Sequence, residues 1–203
     1  MGSGAGDEYA PPMAEIRDRA SVTSAAMLLF IATLVIVIDV RIPDLDIVAD
    51  VVGGALVVVA AFRLHEAIAG ADFLRTVLVG LAVIAFPVTI LETLTPATGV
   101  IGLLGLSQLV GTIVLARLLA DAFARSEPSL GATWLTCFRL VLWLAFVPFV
   151  AGVLVARITE GGTYQSPLAI VLVAILAIPL IATLMALWRT AQGPVASEPA
   201  VAS

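Results

Sequence analysis

The chain has 203 residues, of which 61% are apolar and 12% are charged, whereas soluble domains average about 45–50% and about 25%. So few charged side chains cannot cover the surface of a soluble fold of this length, which indicates a protein embedded in lipid. The net charge of −5 comes from fifteen acidic residues and ten arginines; lysine is absent, which excludes a lysine Schiff base and a P-loop lysine.

Cysteine and histidine each occur once, as Cys137 and His65. An intrachain disulfide is therefore excluded, as are a haem held by two histidines of one chain and a metal site built from a histidine cluster. We expect no cofactor, no metal and no nucleic-acid partner.

Six apolar runs follow a polar amino-terminal tail, residues 1–21. Each run is long enough to cross about 30 Å of hydrocarbon as an α-helix. The runs cover 22–40, 47–64, 73–92, 100–122, 134–156 and 168–188. The sequence thus predicts an all-α, polytopic bundle of about six transmembrane helices over 22–188, and a second polar tail over 189–203.

The arginines predict the orientation of these spans. With six crossings, one side of the membrane holds eight arginines and the other side holds Arg41 and Arg157. Because positive residues accumulate on the cytoplasmic side, both termini are predicted to be cytoplasmic, in a multi-pass protein of the plasma membrane. The eight are Arg17, Arg19, Arg63, Arg75, Arg117, Arg125, Arg139 and Arg189. Trp134 and Trp188, at predicted helix ends on that side, are expected to anchor the bundle at the headgroups.

Four carboxylates crowd the first predicted outer loop: Asp39, Asp44, Asp46 and Asp50. Carboxylate oxygens at this density could collect a hard cation or attract cations to a pore mouth. The alternative is an ordinary solvated loop, which the lack of an EF-hand spacing favours.

Polar residues within the fourth and fifth runs are the other candidates. Gln108 lies near the middle of the fourth run, where its amide could contact a solute or hydrogen-bond to another helix. Arg117 and Asp121, four residues apart, share a helix face, and Arg139 enters the fifth run from the same side. These three could form a buried charge cluster, or could pair and snorkel toward the headgroups.

Two segments with similar sequences suggest an inverted repeat, in which each copy contains three helices. Arg63-Leu64-His65-Glu66 and Arg157-Ile158-Thr159-Glu160 share a pattern, and Pro87 and Pro179 follow at similar offsets. Inverted repeats are common in secondary transporters. Chance similarity between apolar segments is the alternative.

The segment Ile42-Pro43-Asp44-Leu45-Asp46-Ile47 leads into Val52-Gly53-Gly54-Ala55-Leu56. This opening of a helix resembles uncharacterised small multi-spanning bacterial membrane proteins, and the resemblance implies no activity. Six spans without a soluble domain, together with Gln108, favour a small-solute or ion transporter, or a subunit of one. The alternative is a non-catalytic assembly or scaffold subunit of a larger membrane complex. No catalytic motif occurs within a helix, and the expected partners are the bilayer and either further copies of the chain or another membrane protein.

Overall fold

The computed structural model describes residues 14–37, 46–94, 98–158 and 167–193. Within these ranges the chain forms six helices and one short pair of strands. In chain order these are β1 (Glu15–Ile16), α1 (Arg19–Val37), α2 (Asp46–Ala67), β2 (Ile68–Ala69), α3 (Asp72–Leu94), α4 (Thr98–Ser126), α5 (Pro128–Ile158) and α6 (Pro167–Ala191).

Each predicted span overlaps one of the six helices. The largest differences occur where α4 continues to Ser126 and α5 begins at Pro128, so that Glu127 alone connects them. The predicted loop between 122 and 134 is therefore helical. Pro128 starts α5 because proline is well tolerated in the first turn of a helix, where its missing N–H has no partner to lose.

The helices form a closed ring in which each one packs against its neighbours in the sequence, and α6 packs against α1. Contacts at one end establish that neighbours run in opposite directions. β1, before α1, pairs with β2, after α2, and Arg19 at the start of α1 contacts Glu127 after α4 and Thr190 at the end of α6. Both described ends of the chain therefore lie at this end of the ring, which we call the terminal end.

The amino-terminal segment is an ordered part of the terminal end. Glu15 pairs with Ala69 and Ile16 with Ile68 in antiparallel register, and the backbone N–H of Arg17 donates to the carbonyl of Ala67 at 2.8 Å. Residues 14–21 were predicted to belong to a polar tail. In the structure they cross the end of the bundle and lead directly into α1.

Asp18 caps α1. Its carboxylate accepts hydrogen bonds from the backbone N–H of Ala20 at 3.0 Å and from the Ser21 hydroxyl. These bonds, with the Ser21 hydroxyl first, lower the pKa of Asp18 below its usual value. The first turn of α1 thus has a charged acceptor for N–H groups that no helical carbonyl can reach.

The outer surface of the ring is apolar. Phe73 is 78% exposed, Trp143 75% and Ile84 61%, and large apolar side chains in such number on an outer surface mark contact with another apolar phase. Within the described residues, three helical stretches are long and apolar enough to cross a membrane: Arg19–Ile36, Asp72–Leu91 and Leu106–Ser126. A shorter apolar stretch covers Ala177–Ala191. A helical, membrane-compatible protein is confirmed to that extent.

Candidate functional site

A cavity of about 260 Å³ lies inside the ring and is bounded by five of the six helices. On α4 the lining positions Ser107, Gln108, Gly111, Thr112 and Leu115 recur every three or four residues, so one face of the helix points at the cavity. The other lining residues are Leu29, Thr33 and Ile36 of α1, Gly54, Val57, Ala61 and Leu64 of α2, Leu78, Leu81, Ala82, Ala85, Phe86 and Thr89 of α3, and Leu180, Thr183 and Leu187 of α6.

The cavity wall is mainly apolar, and none of its described side chains is charged. Three of its threonines direct their hydroxyl hydrogens to the backbone carbonyl four residues earlier: Thr33 to Leu29 at 2.7 Å, Thr89 to Ala85 at 3.0 Å and Thr112 to Gln108 at 2.8 Å. The hydroxyl oxygens of Thr33 and Thr112 can still accept a hydrogen bond. The wall therefore offers weakly polar groups in an apolar setting.

Gln108 is the one lining side chain, among those described, with both strong donors and a strong acceptor. Its side-chain amide forms no hydrogen bond to any described residue, although its backbone carbonyl accepts from Thr112. Gln108, predicted to contact either a solute or another helix, lies on the cavity wall. Gln108 was also predicted to form a hydrogen bond to another helix, but its amide has no partner for such a bond in the described part of the chain.

Polarity changes along the cavity. Leu64 of α2 and Leu187 of α6 are 1% exposed and close the cavity toward the terminal end. Each of these leucines lies within about 6 Å of the end of its helix, at a rise of about 1.5 Å per residue. Gln108 lies about 27 Å along α4 from Ser126 on the same measure. The leucines thus seal the terminal side, and the amide lies toward the opposite end.

An ion pair and a buried hydrogen bond hold the terminal end closed. Arg19 of α1 pairs with Glu127 at 2.8 Å, lies over the Phe123 ring at 4.7 Å, and donates to the carbonyl of Thr190 at 3.5 Å. These contacts tie the start of α1 to the junction of α4 and α5 and to the end of α6. We call the Arg19–Glu127 pair with Thr190 the terminal clamp.

Trp134 belongs to this clamped region rather than to a headgroup interface. Its side chain is fully buried, and its indole N–H donates to the Thr190 hydroxyl at 2.9 Å. The prediction that Trp134 anchors the bundle was wrong because α5 begins at Pro128, which places Trp134 more than one turn inside the helix. Trp188 is 45% exposed beside Phe30, a position that suits the anchoring predicted for it.

Arg75 contacts both sides of the turn between β2 and α3. It donates to the carbonyl of Ile68 at 2.7 Å and pairs with Asp72 at 3.2 Å. The turn between them uses Gly70 and Ala71 at φ values of 70° and 48°, a left-handed conformation that costs a residue with a Cβ roughly 1–2 kcal/mol. Arg75 thus fixes a strained turn against the end of the bundle.

The predicted cluster of Arg117, Asp121 and Arg139 forms only in part. Arg117 pairs with Asp121 at 3.0 Å on α4 and lies 5.7 Å from the Phe138 ring of α5. Arg139 is exposed and makes no ion pair with a described residue. None of the three lines the cavity. They form a feature of the outer surface, separate from Gln108.

Most of the acidic loop lies outside the described residues. Asp39 and Asp44 fall there entirely, and Asp46 begins α2 without a described side chain. Asp50 is half-buried on α2 and has an interaction partner. The described residues contain no group of acidic, histidine and cysteine side chains that could hold a metal. Thr159 and Glu160, from the second copy of the proposed repeat, also fall outside them.

The chain matches no family model, no curated protein and no solved structure. The function of the cavity is therefore inferred from its geometry and chemistry.

Proposed function

We propose that all six helices cross the bilayer and that the terminal end faces the cytoplasm, in a multi-pass protein of the plasma membrane. The alternating directions of the helices support six crossings, because each helix then carries the chain from one face of the membrane to the other. Eight of the ten arginines belong to the cytoplasmic side in this arrangement.

Protease protection tests the topology. Tags fused before Met1 and after Ser203 are expected to resist external protease in intact cells and to be cleaved once the membrane is opened. A third tag, inserted at residues 161–162 in the connection between α5 and α6, should be cleaved from outside. Cleavage of either terminal tag in intact cells would contradict the proposed orientation.

We infer further that the protein is a small-solute transporter, or a subunit of one. The observation that carries this inference is the cavity between the helices of the ring, since pockets between the helices of a bundle are common ligand sites. The cavity extends between a leucine seal at the terminal end and a free amide nearer the opposite end. Opening of the terminal clamp would connect it to the cytoplasmic side.

Two glycines allow a matched test of transport. A Cβ added at Gly111 or at Gly80 meets no atom within 4 Å, yet only Gly111 lines the cavity. Gly111→Leu is therefore expected to fill the cavity without disturbing the helices, whereas Gly80→Leu on α3 adds the same side chain outside it. Both changes also remove a helical glycine, which favours the helix by a few tenths of a kcal/mol to about 1 kcal/mol.

The measurement is counterflow of radiolabelled small solutes, with sodium and chloride as ionic comparisons, in vesicles with and without the protein. We expect protein-dependent flux that Gly111→Leu abolishes and Gly80→Leu retains. Absence of flux for every solute, or equal flux in both variants, would contradict transport through this cavity. The scaffold hypothesis would then gain support, and purification with a partner or as an oligomer would be its own test.

A further inference from the structure

The size of the cavity limits what it can hold. An engineered protein cavity of about 150 Å³ binds benzene, so 260 Å³ accommodates a molecule of about ten non-hydrogen atoms. A phospholipid or a disaccharide is too large for this volume. The occupant is a small molecule with at most one ring or a short chain.

The charge of the wall limits the ligand further. No described side chain around the cavity is charged, and transfer of an unpaired ion into an apolar site costs far more than a few hydroxyl groups can offset. An inorganic ion or a carboxylate would also find its counterions remote, because Arg117 and Asp121 pair with each other on the outer surface. The lining therefore selects for neutral molecules.

One group of the wall selects for a hydrogen-bonding function on the ligand. The Gln108 side chain is exposed on the cavity wall, and its amide has no hydrogen-bond partner among the described residues. A ligand with one hydroxyl or carbonyl group would satisfy it. The leucines at the terminal side, Leu64, Leu115 and Leu187, would then surround the apolar part of the same molecule.

We propose that this cavity binds a neutral, mainly apolar molecule of about ten non-hydrogen atoms, oriented by a hydrogen bond between its single polar group and the side-chain amide of Gln108. The proposal rests on the inferred transport function, for which it names the class of solute. It also assigns Gln108 to ligand binding rather than to adhesion between helices.

Three probes of similar size separate the effects of the ligand's hydroxyl group and charge on binding. They are para-ethylphenol, para-ethyltoluene, which replaces the hydroxyl with a methyl group, and benzoate, which is charged at neutral pH. Binding is measured by equilibrium dialysis of the radiolabelled probes against nanodiscs that contain the protein, with empty nanodiscs correcting for partition into lipid. We expect para-ethylphenol to bind about threefold more tightly than para-ethyltoluene, the ratio given by an average intramembrane hydrogen bond. Benzoate should bind no better than to empty nanodiscs.

Variants then test the residues. Gln108→Leu should bind both neutral probes but lose the threefold preference for the phenol. Gly111→Leu should weaken both by about fivefold or more, because overpacking a filled site costs at least about 1 kcal/mol. Gly80→Leu should bind as the unchanged protein does.

Several outcomes would overturn the proposal: no neutral probe binds above the empty-nanodisc level, benzoate binds as tightly as the phenol, or Gln108→Leu keeps the preference. Failure of transport is distinguishable from these results. Probe binding that depends on Gln108 and Gly111, without flux in vesicles, would keep the binding site and reject the transporter. Flux of a charged solute without probe binding would reject the neutral ligand class and keep the transporter.

Discussion

The hydrogen bond between Trp134 and Thr190 is fully buried, so removal of its acceptor leaves an indole N–H without water or another partner. Thr190→Val, which keeps the shape of the side chain, should lower the free energy of unfolding by about 1–3 kcal/mol. Thermal unfolding in detergent measures the loss. In a Trp134→Phe background the same substitution should cost clearly less, and equal costs in both backgrounds would mean that the bond contributes little.

Removal of Arg117 from α4 leaves an unpaired carboxylate, whereas removal of Arg139 from α5 does not. Arg117→Leu leaves Asp121 without its ion-pair partner on an apolar surface, and should lower Tm by about 2–4 °C, the shift that about 1 kcal/mol produces in a chain of this size. Addition of Asp121→Asn to the Arg117→Leu variant should restore most of the lost Tm, because the uncompensated charge is removed.

Arg139→Leu is the matched control, since Arg139 is exposed and pairs with no described residue. Its Tm should stay within about 1–2 °C of the unchanged protein, as for other surface substitutions of at most about 0.5 kcal/mol. If Arg139→Leu were unstable and Asp121→Asn rescued it, the result would instead support the three-residue cluster expected from the sequence.

The backbones of α4 and α5 pass close to each other at their junction. A Cβ on Gly131 would lie 3.0 Å from the backbone nitrogen of Ala124 and 3.1 Å from its Cα, atoms that cannot move aside as a flexible side chain can. Gly131→Ala should therefore destabilise the protein by about 1–3 kcal/mol.

Gly111→Ala provides the comparison for that substitution, because its Cβ meets no atom within 4 Å. It should leave stability unchanged or raise it by up to about 1 kcal/mol through helix propensity. Both variants are compared by thermal unfolding in the same detergent. Equal stability of Gly131→Ala and Gly111→Ala would show that the junction can relax.

The positions of the helices could be predicted from the sequence because each is a long apolar run bounded by polar or Pro and Gly residues. The ends of α4 and α5 could not, because Arg125 and Glu127 are polar enough to suggest a loop although they continue or join helices. β1 was missed for a different reason. Its strand exists only through pairing with Ile68 and Ala69, and nothing in residues 14–18 indicates that distant partner.

The candidate site was predictable at one residue. The depth of Gln108 in an apolar run marked it as a candidate for contact with a solute or another helix, and its side chain lies on the cavity wall. The terminal clamp was not predictable, since the sequence does not state which helices become neighbours around the ring. Arg19 and Glu127 meet only because the segment that contains β1 and leads into α1 packs against α4.

At the scale of the whole molecule, Cys137 reports whether the ring is intact. It is the one cysteine of the chain, is buried, and directs its thiol toward the carbonyl of Ala182 on α6 at 3.4 Å. Maleimide labelling in detergent should be slow at low temperature and should rise with the same midpoint as helix loss on heating. Rapid labelling of the folded protein would show that α5 and α6 separate without unfolding.

The contact between α1 and α6 also has a consequence for biosynthesis. The other contacts of the ring join helices that are adjacent in the sequence, but the contact of α1 with α6 must wait for the last helix. At about 5–20 residues per second, a ribosome needs roughly 8–30 s to synthesise the chain from the end of α1 to the end of α6. Throughout that interval the nascent α1–α2 hairpin depends on its own contacts, among them Gly53 against Ile36 and the β1–β2 pair. Under the proposed topology, the seam between the first and last helices is where an unfinished chain stays open to surrounding lipid and to assembly factors.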